Sequence, residues 1–399
     1  MLHLLQLAII ATKNCESAKV GYVQGGGVKV ISAYLKLSNN AIIEATCNLL
    51  ASLSRYDDFR ENAGPMGAAA NTSSAHDHAL EFHRLNVEER LVEVARGVLG
   101  ELDDANATDS ENNGNASADR LAVAVLTALR VLAVNDDIIQ TMVALGVLPV
   151  VTKALELSCK ENTVSIASEQ STHRKSRLTS ASLGLLRNLC GNDEIKTNLC
   201  LGSSDQTSAF ATPSSLPYLI LAMQLYPSVA TLQEHACGTL AAMALRKPAN
   251  AHAIIDQGGP RYILTAMKRH DMNPSVQRQG ALAVRNLVSR LLRECPEDGE
   301  KGKEERTAIR DSFLELGAED ILRNVTGRHQ GSIDEAYAAL RDLGCKVSLI
   351  KFNGDEQQQG QVQRTLMFGE KHNSNFRPVY DDSEGLEKGV DEAISQFSI

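Results

Sequence analysis

Self-similar apolar segments constrain this chain more than any other feature, because a period of some tens of residues means stacked units rather than one closed core. Six segments carry the pattern: Ala45–Ser54 (ATCNLLASLS), Ala124–Ala133 (AVLTALRVLA), Ala181–Cys190 (ASLGLLRNLC), His235–Ala244 (HACGTLAAMA), Gln279–Val288 (QGALAVRNLV) and Glu335–Gly344 (EAYAALRDLG). Each places apolar or small residues at helical spacing and ends near an apolar anchor: Leu53, Leu132, Leu189, Met243, Leu287 or Leu343. Successive anchors lie 44 to 79 residues apart. The shortest interval is that of a helical repeat, and the longer ones each contain a polar insert.

Between the anchors a second signal recurs, a helical run broken by glycine and followed by another apolar helix. It spans Glu16–Leu35, Asn135–Leu155, Asn250–Met267 and Arg306–Leu322, so that each unit should contain three helices. Gly25 to Gly27, Gly146, Gly258, Gly259 and Gly317 stand where one helix must stop and the next leave at an angle, which a residue tolerating positive φ permits. A phosphate loop at Gly25 to Gly27 would need a strand before it, and helix is expected on both sides.

Composition agrees with an all-α chain. There is no tryptophan, aromatics make up 4 % of the 399 residues, and only ten prolines interrupt the run of Leu, Ala and Val. A net charge of −9 opposes general nucleic-acid binding unless basic groups gather on one face. The eight cysteines are dispersed singly, which reads as buried thiols in an intracellular protein rather than as a zinc site. The apolar start lacks the basic flank of a signal peptide, and no later run is long enough to span a bilayer.

Five polar stretches break the period, near residues 63–78, 101–119, 160–176, 202–215 and 294–306. They are expected to be mobile loops, since they bury too little apolar surface to offset their ordering entropy. The second is acidic and reads as a solvated spacer. The solenoid should therefore occupy residues 1–350 with about six units, followed by a disordered polar and acidic tail over 351–399. Within that tail Asn375–Tyr380 is an aromatic and basic island, read as part of an unstructured end rather than as a docking peptide. The first helix, Leu2–Thr12, looks like the last helix of a unit whose earlier helices are absent, and should expose apolar surface.

The strings Leu186-Arg187-Asn188-Leu189, Val284-Arg285-Asn286-Leu287 and Leu340-Arg341-Asp342-Leu343 resemble the end of the third helix in armadillo repeats. That resemblance implies an armadillo-type right-handed α-α superhelix whose third helices line a concave surface. It also implies that Asn188 and Asn286 face the groove and hydrogen-bond the backbone of an extended peptide, with Asp342 a partial match and Ser52, Val131 and Ala242 none. Arg130, Arg187, Arg285 and Arg341 precede those positions. They are suited to acidic partners at the groove edge and equally to capping helix ends and pairing with nearby carboxylates. In nuclear-import adaptors of this fold a tryptophan stands four residues before each asparagine. Gly184 and Leu282 occupy those places here, so no aromatic cage for basic signals is expected.

No nucleophile elbow, kinase signature, phosphate loop or metalloprotease helix occurs. His76, Asp77 and His78, with His83, form the one dense histidine group, but a metal site needs three or four ligands in fixed geometry. His235, alone in a repeat segment, reads as a packed, hydrogen-bonded core or groove residue. The chain is thus expected to be a non-catalytic protein-interaction scaffold without cofactor, metal or small-molecule substrate. Its partners would be extended protein segments, and its location the cytoplasm with the nucleus as a second compartment. The alternative is a membrane-associated organiser anchored by lipidation of an exposed cysteine; Met1-Leu2 and the final Gln396-Phe397-Ser398-Ile399 carry neither a myristoylation nor a prenylation signal.

Overall fold

Helix ends organise the molecule, because each helix leaves four N–H groups at its start and four carbonyls at its finish that something must satisfy. A computed structural model describes residues 1–55, 67–107, 113–160, 169–203, 211–293, 299–329 and 333–347, all of them in helices and their connections. Helix α1 (Leu2–Thr12) is followed by six triplets. These are α2 (Glu16–Tyr22), α3 (Val28–Leu35) and α4 (Asn40–Leu53); α5 (Gly67–His83), α6 (Val87–Ala107) and α7 (Asn113–Leu132); and α8 (Asp136–Ala144), α9 (Val147–Cys159) and α10 (Glu169–Leu189). Then come α11 (Asp193–Leu201), α12 (Leu216–Leu225) and α13 (Ala230–Ala244); α14 (Pro248–Asp256), α15 (Gly259–Arg269) and α16 (Pro274–Arg293); and α17 (Gly299–Glu315), α18 (Ala318–Arg328) and α19 (Ile333–Asp342).

The third helices α1, α4, α7, α10, α13, α16 and α19 pack in sequence, each on the next, and the second helices α3, α6, α9, α12, α15 and α18 form a parallel outer layer. Third helices touch one another along more of their length than second helices do, so the stack curves toward the third-helix side. All six anchor residues are buried between the layers. Each fully buried Leu or Met there contributes about 1.5–3 kcal/mol. On α1, Leu5 packs inward while Leu4, Leu7 and Ile10 are exposed.

The turn from first to second helix uses positive φ where the sequence places glycine. Gly26, Gly146, Gly258 and Gly317 have φ between +77° and +86°. Gly26 lies within the π-type turn Val23–Gly27, and across Gly146 the axes of α8 and α9 meet at 77°. Helix starts are capped where asparagine precedes them: Asn39, Asn135, Asn192 and Asn273 accept from backbone amides of α4, α8, α11 and α16.

The expected inserts are narrower than the polar composition suggests. Residues 67–78 belong to α5, where His78 and Ala79 are buried; residues 101–107 complete α6, with Leu102 buried and Asp103 held by Lys153 at 2.8 Å and Lys160 at 2.9 Å. Residues 113–119 open α7, 169–176 open α10 and 299–306 open α17. Helical packing prevails over composition where one face of an extension meets a neighbouring layer, as at His78 and Leu102. The centres of the inserts and the tail from 351, with its Asn375–Tyr380 island, lie outside the described residues. Among the described residues no single helix is long and apolar enough to cross a membrane.

Gly317 has φ +82° and open space where a Cβ would stand. Gly317→Ala is therefore expected to lose about 1–2 kcal/mol through backbone strain alone. Gly97→Ala, inside α6 and equally unobstructed, should gain about 0.5–1 kcal/mol. Urea denaturation of both variants checks the pair of opposite signs.

Candidate functional site: the concave third-helix face

Arg130 shows how the third helices build one surface from several units. It leaves the end of α7, crosses α10 at Gly184, and places Nη1 3.1 Å from Nε2 of His235 on α13. A Cβ on Gly184 would lie 3.0 Å from the Arg130 side chain, so the missing side chain is the notch through which the arginine passes. One unit further along, Arg187 leaves α10 and lies over Gly238 of α13, where a Cβ would approach its Nε to 2.9 Å. A side chain that spans three successive third helices requires them to converge, which places this face on the inside of the curve.

The cluster is short of negative charge. Arg187 has Glu234 at 3.9 Å, a loose and partly exposed pair. Among the described residues no carboxylate pairs with Arg130. Burial holds the Arg130 guanidinium below its ordinary pKa, with Arg55 and Arg187 adding repulsion and Glu234 opposing the shift. Burial does the same to Arg187, where Arg278 adds to the shift and Glu234 opposes it. His235 is pushed down to about 3, first by burial and then by both arginines. It is therefore neutral, and since Nε2 faces the Arg130 donor it acts as an acceptor there. Its Nδ1 is buried without a hydrogen-bond partner.

The amide nitrogens of both asparagines are engaged within the solenoid. The Nδ2 group of Asn188 donates to the carbonyls of Arg130 at 2.9 Å and Ala133 at 3.4 Å; that of Asn286, a residue only 5 % exposed, donates to the carbonyl of Ala241 at 2.9 Å. Both amides are directed along the stack at the preceding third helix rather than out of the groove, because those carbonyls need donors. Thr239 adds a bond to the mid-helix carbonyl of Leu183 on α10 at 3.2 Å. Arg285 is half-buried on α16, and Arg341 is exposed on α19 with Asp342 at 2.9 Å. Of the sequence-selected residues, the structure thus brings Arg130 and Arg187 together, spaces Asn188 and Asn286 as links, and leaves Arg341 and Asp342 at the far end. Glu234, Arg278 and Glu335 were not anticipated; Arg278 meets Glu335 at 2.9 Å between α16 and α19.

The remaining candidates fall into the framework. His78 Nδ1 lies 2.8 Å from the Leu53 carbonyl. Among the described residues no three His, Cys, Asp or Glu side chains gather as a cation site. Cys47, Cys159, Cys190, Cys200 and Cys237 are buried, with burial raising their thiol pKa values, and Cys15 and Cys345 are half-buried. The five buried thiols are protonated and inert.

Among solved structures, an engineered protein superimposes with a TM-score of 0.51 at 16 % identity, over 79 % of this chain and 98 % of its own. A designed armadillo repeat protein gives 0.49 at 14 % identity, over 78 % and 98 %. The six stacked helix triplets, third helix on third helix, make the fold an armadillo-type α-solenoid. These likenesses concern the solenoid's architecture alone. No protein-family model matches the chain. Protein aardvark of Dictyostelium discoideum is 34 % identical over 92 residues, 21 % of this chain and 12 % of that protein, so the solenoid chain matches only a small part of that relative's length.

Two predictions follow from the links and the histidine. Asn286→Ala strands a buried carbonyl and should cost about 1–3 kcal/mol in chemical denaturation, with a smaller loss for the half-buried Asn188→Ala. The folded state holds His235 unprotonated while the unfolded chain takes up a proton near its ordinary value of about 6.5, so stability should fall as pH drops from about 7 toward 3. His235→Gln should flatten that part of the profile, measured as denaturation midpoints at about pH 7 and pH 5.

Proposed function

We propose that this protein is a non-catalytic interaction scaffold whose third-helix face, from α7 to α19, receives an extended segment of a partner protein. The observation that carries the reading is the continuity of that face. Arginine side chains cross from one unit to the next, so a chain laid along the groove meets polar groups at each unit it passes. An extended segment can satisfy its own backbone against such a row without a preformed pocket.

The groove residues in this proposal are Arg130, Arg187, Arg285, Arg341 and Asp342, together with Asn188 and Asn286. The asparagine amides hold neighbouring third helices, which leaves their carbonyl oxygens as the groups to meet a ligand backbone. The proposal includes a finer likeness. Residues 232–349, especially QEHACGTLAAMALRKPANAHAIIDQGG and ALRDLGCKVSL, resemble armadillo repeat-containing protein 6. With it come a cytoplasmic location, the nucleus as a second compartment, and a part in cell differentiation.

Affinity purification with mass spectrometry tests the scaffold reading when wild type is compared with Arg285→Ala/Arg341→Ala and with Arg261→Ala on the second-helix layer. Partners should be depleted by at least several-fold in the groove variant and retained by the outer one. Equal recovery of every partner by all three proteins would remove the groove from the account.

A further inference from the structure

Within the proposed groove, one place combines fixed geometry with unbalanced charge. Arg130 and Arg187 issue from adjacent third helices, and each is seated over a glycine of the next, Gly184 or Gly238. The notches set where the two side chains lie. His235 then fixes the Arg130 guanidinium through Nε2 at 3.1 Å without neutralising it, because a neutral imidazole accepts a hydrogen bond and carries no charge. Had a glutamate stood at position 235, the same bond would have cancelled the cation.

The groups facing the cluster are mainly of one sign. Arg55 follows α4, Arg130 ends α7, Arg187 ends α10 and Arg278 lies near the start of α16, whereas the one carboxylate of Glu234 on α13 acts on both Arg130 and Arg187, at 3.9 Å from the latter, and Glu335 on α19 is committed to Arg278 at 2.9 Å. A partly buried guanidinium has lost solvation that a carboxylate can restore through paired, charge-assisted hydrogen bonds. The chain as a whole carries a net charge of −9, so this patch runs against the charge of the rest of the molecule. Electrostatic complementarity at such a patch selects partners by sign.

We propose that the α7–α10–α13 part of the groove is a binding subsite for an acidic side chain of the partner segment, its carboxylate bridged by Arg130 and Arg187, with His235 as the residue that positions Arg130. This rests on the groove reading above and adds to it the chemistry of the occupant: an extended segment bearing glutamate or aspartate. A lysine-rich segment would meet like charge at this place.

Fluorescence anisotropy with synthetic extended peptides tests it: one alternating glutamate and serine, one with phosphoserine in place of glutamate, one alternating lysine and serine, and one uncharged. The full chain is titrated as wild type, Arg130→Gln/Arg187→Gln, His235→Gln, His235→Leu and Arg261→Gln, each confirmed folded by circular dichroism and thermal melting. The glutamate peptide should bind wild type in a salt-sensitive manner, and the double arginine variant should weaken it by about tenfold or more. Arg261→Gln should leave it unchanged although it removes a charge from the outer layer. His235→Gln, which keeps an acceptor, should retain most of the affinity, and His235→Leu should lose several-fold. Glutamate-peptide binding unaffected in the double arginine variant would overturn the assignment. So would binding of the phosphoserine peptide alone. A lysine peptide that binds where the glutamate peptide does not would overturn this inference and leave the groove reading standing, whereas failure of all four peptides would count against both.

Discussion

The structure depends on one recurring problem and its solution: the carbonyls at the end of a helix are satisfied by side chains from neighbouring helices, often those of the next unit. In the outer layer Tyr226 Oη donates to Ser158, while His270 and His329 bond the carbonyls of Pro227 and Asp271. Between the layers Gln233 donates to Met223 and Tyr226, and Gln277 to Met267 and His270. On the inside Asn188 and Asn286 complete the set. A chain of helices this short would leave many exposed ends, and burying them without partners would cost more than the apolar anchors return. Stacking and end-satisfaction are thus one event, which makes each unit's stability a property of its neighbours.

Much of this was legible in the residues. Anchors such as Leu189 and Met243 announced the buried side of the third helices, and Gly146, Gly258 and Gly317 marked the sharp turns, because apolar periodicity and tolerance of positive φ are local properties. Two first-to-second helix turns escaped notice for physical reasons. Between α5 and α6 the positive φ belongs to Asn86, and between α11 and α12 a polar insert separates the helices. The insert boundaries were drawn too wide because composition does not reveal that Leu102 or His78 meets a neighbouring layer.

The groove was harder to read. Asn188 and Asn286 were recognisable by position, yet the direction of an amide depends on which carbonyl lies opposite, and that carbonyl is more than forty residues away in sequence. Gly184 looked like a missing aromatic when it is space kept for Arg130. Its signal was present as a glycine inside an otherwise unbroken helix, repeated at Gly238, a residue that lowers helix propensity and so calls for a packing reason.

Arg130 belongs to the second triplet, its notch to the third and its acceptor to the fourth. The proposed recognition at this place is therefore not a possession of any single repeat. Duplicating, deleting or transplanting one module would break the arrangement even if every module kept its own sequence. A lineage that altered repeat number would have to rebuild this arginine–glycine–histidine arrangement, whereas one that lengthened only the loops could preserve it.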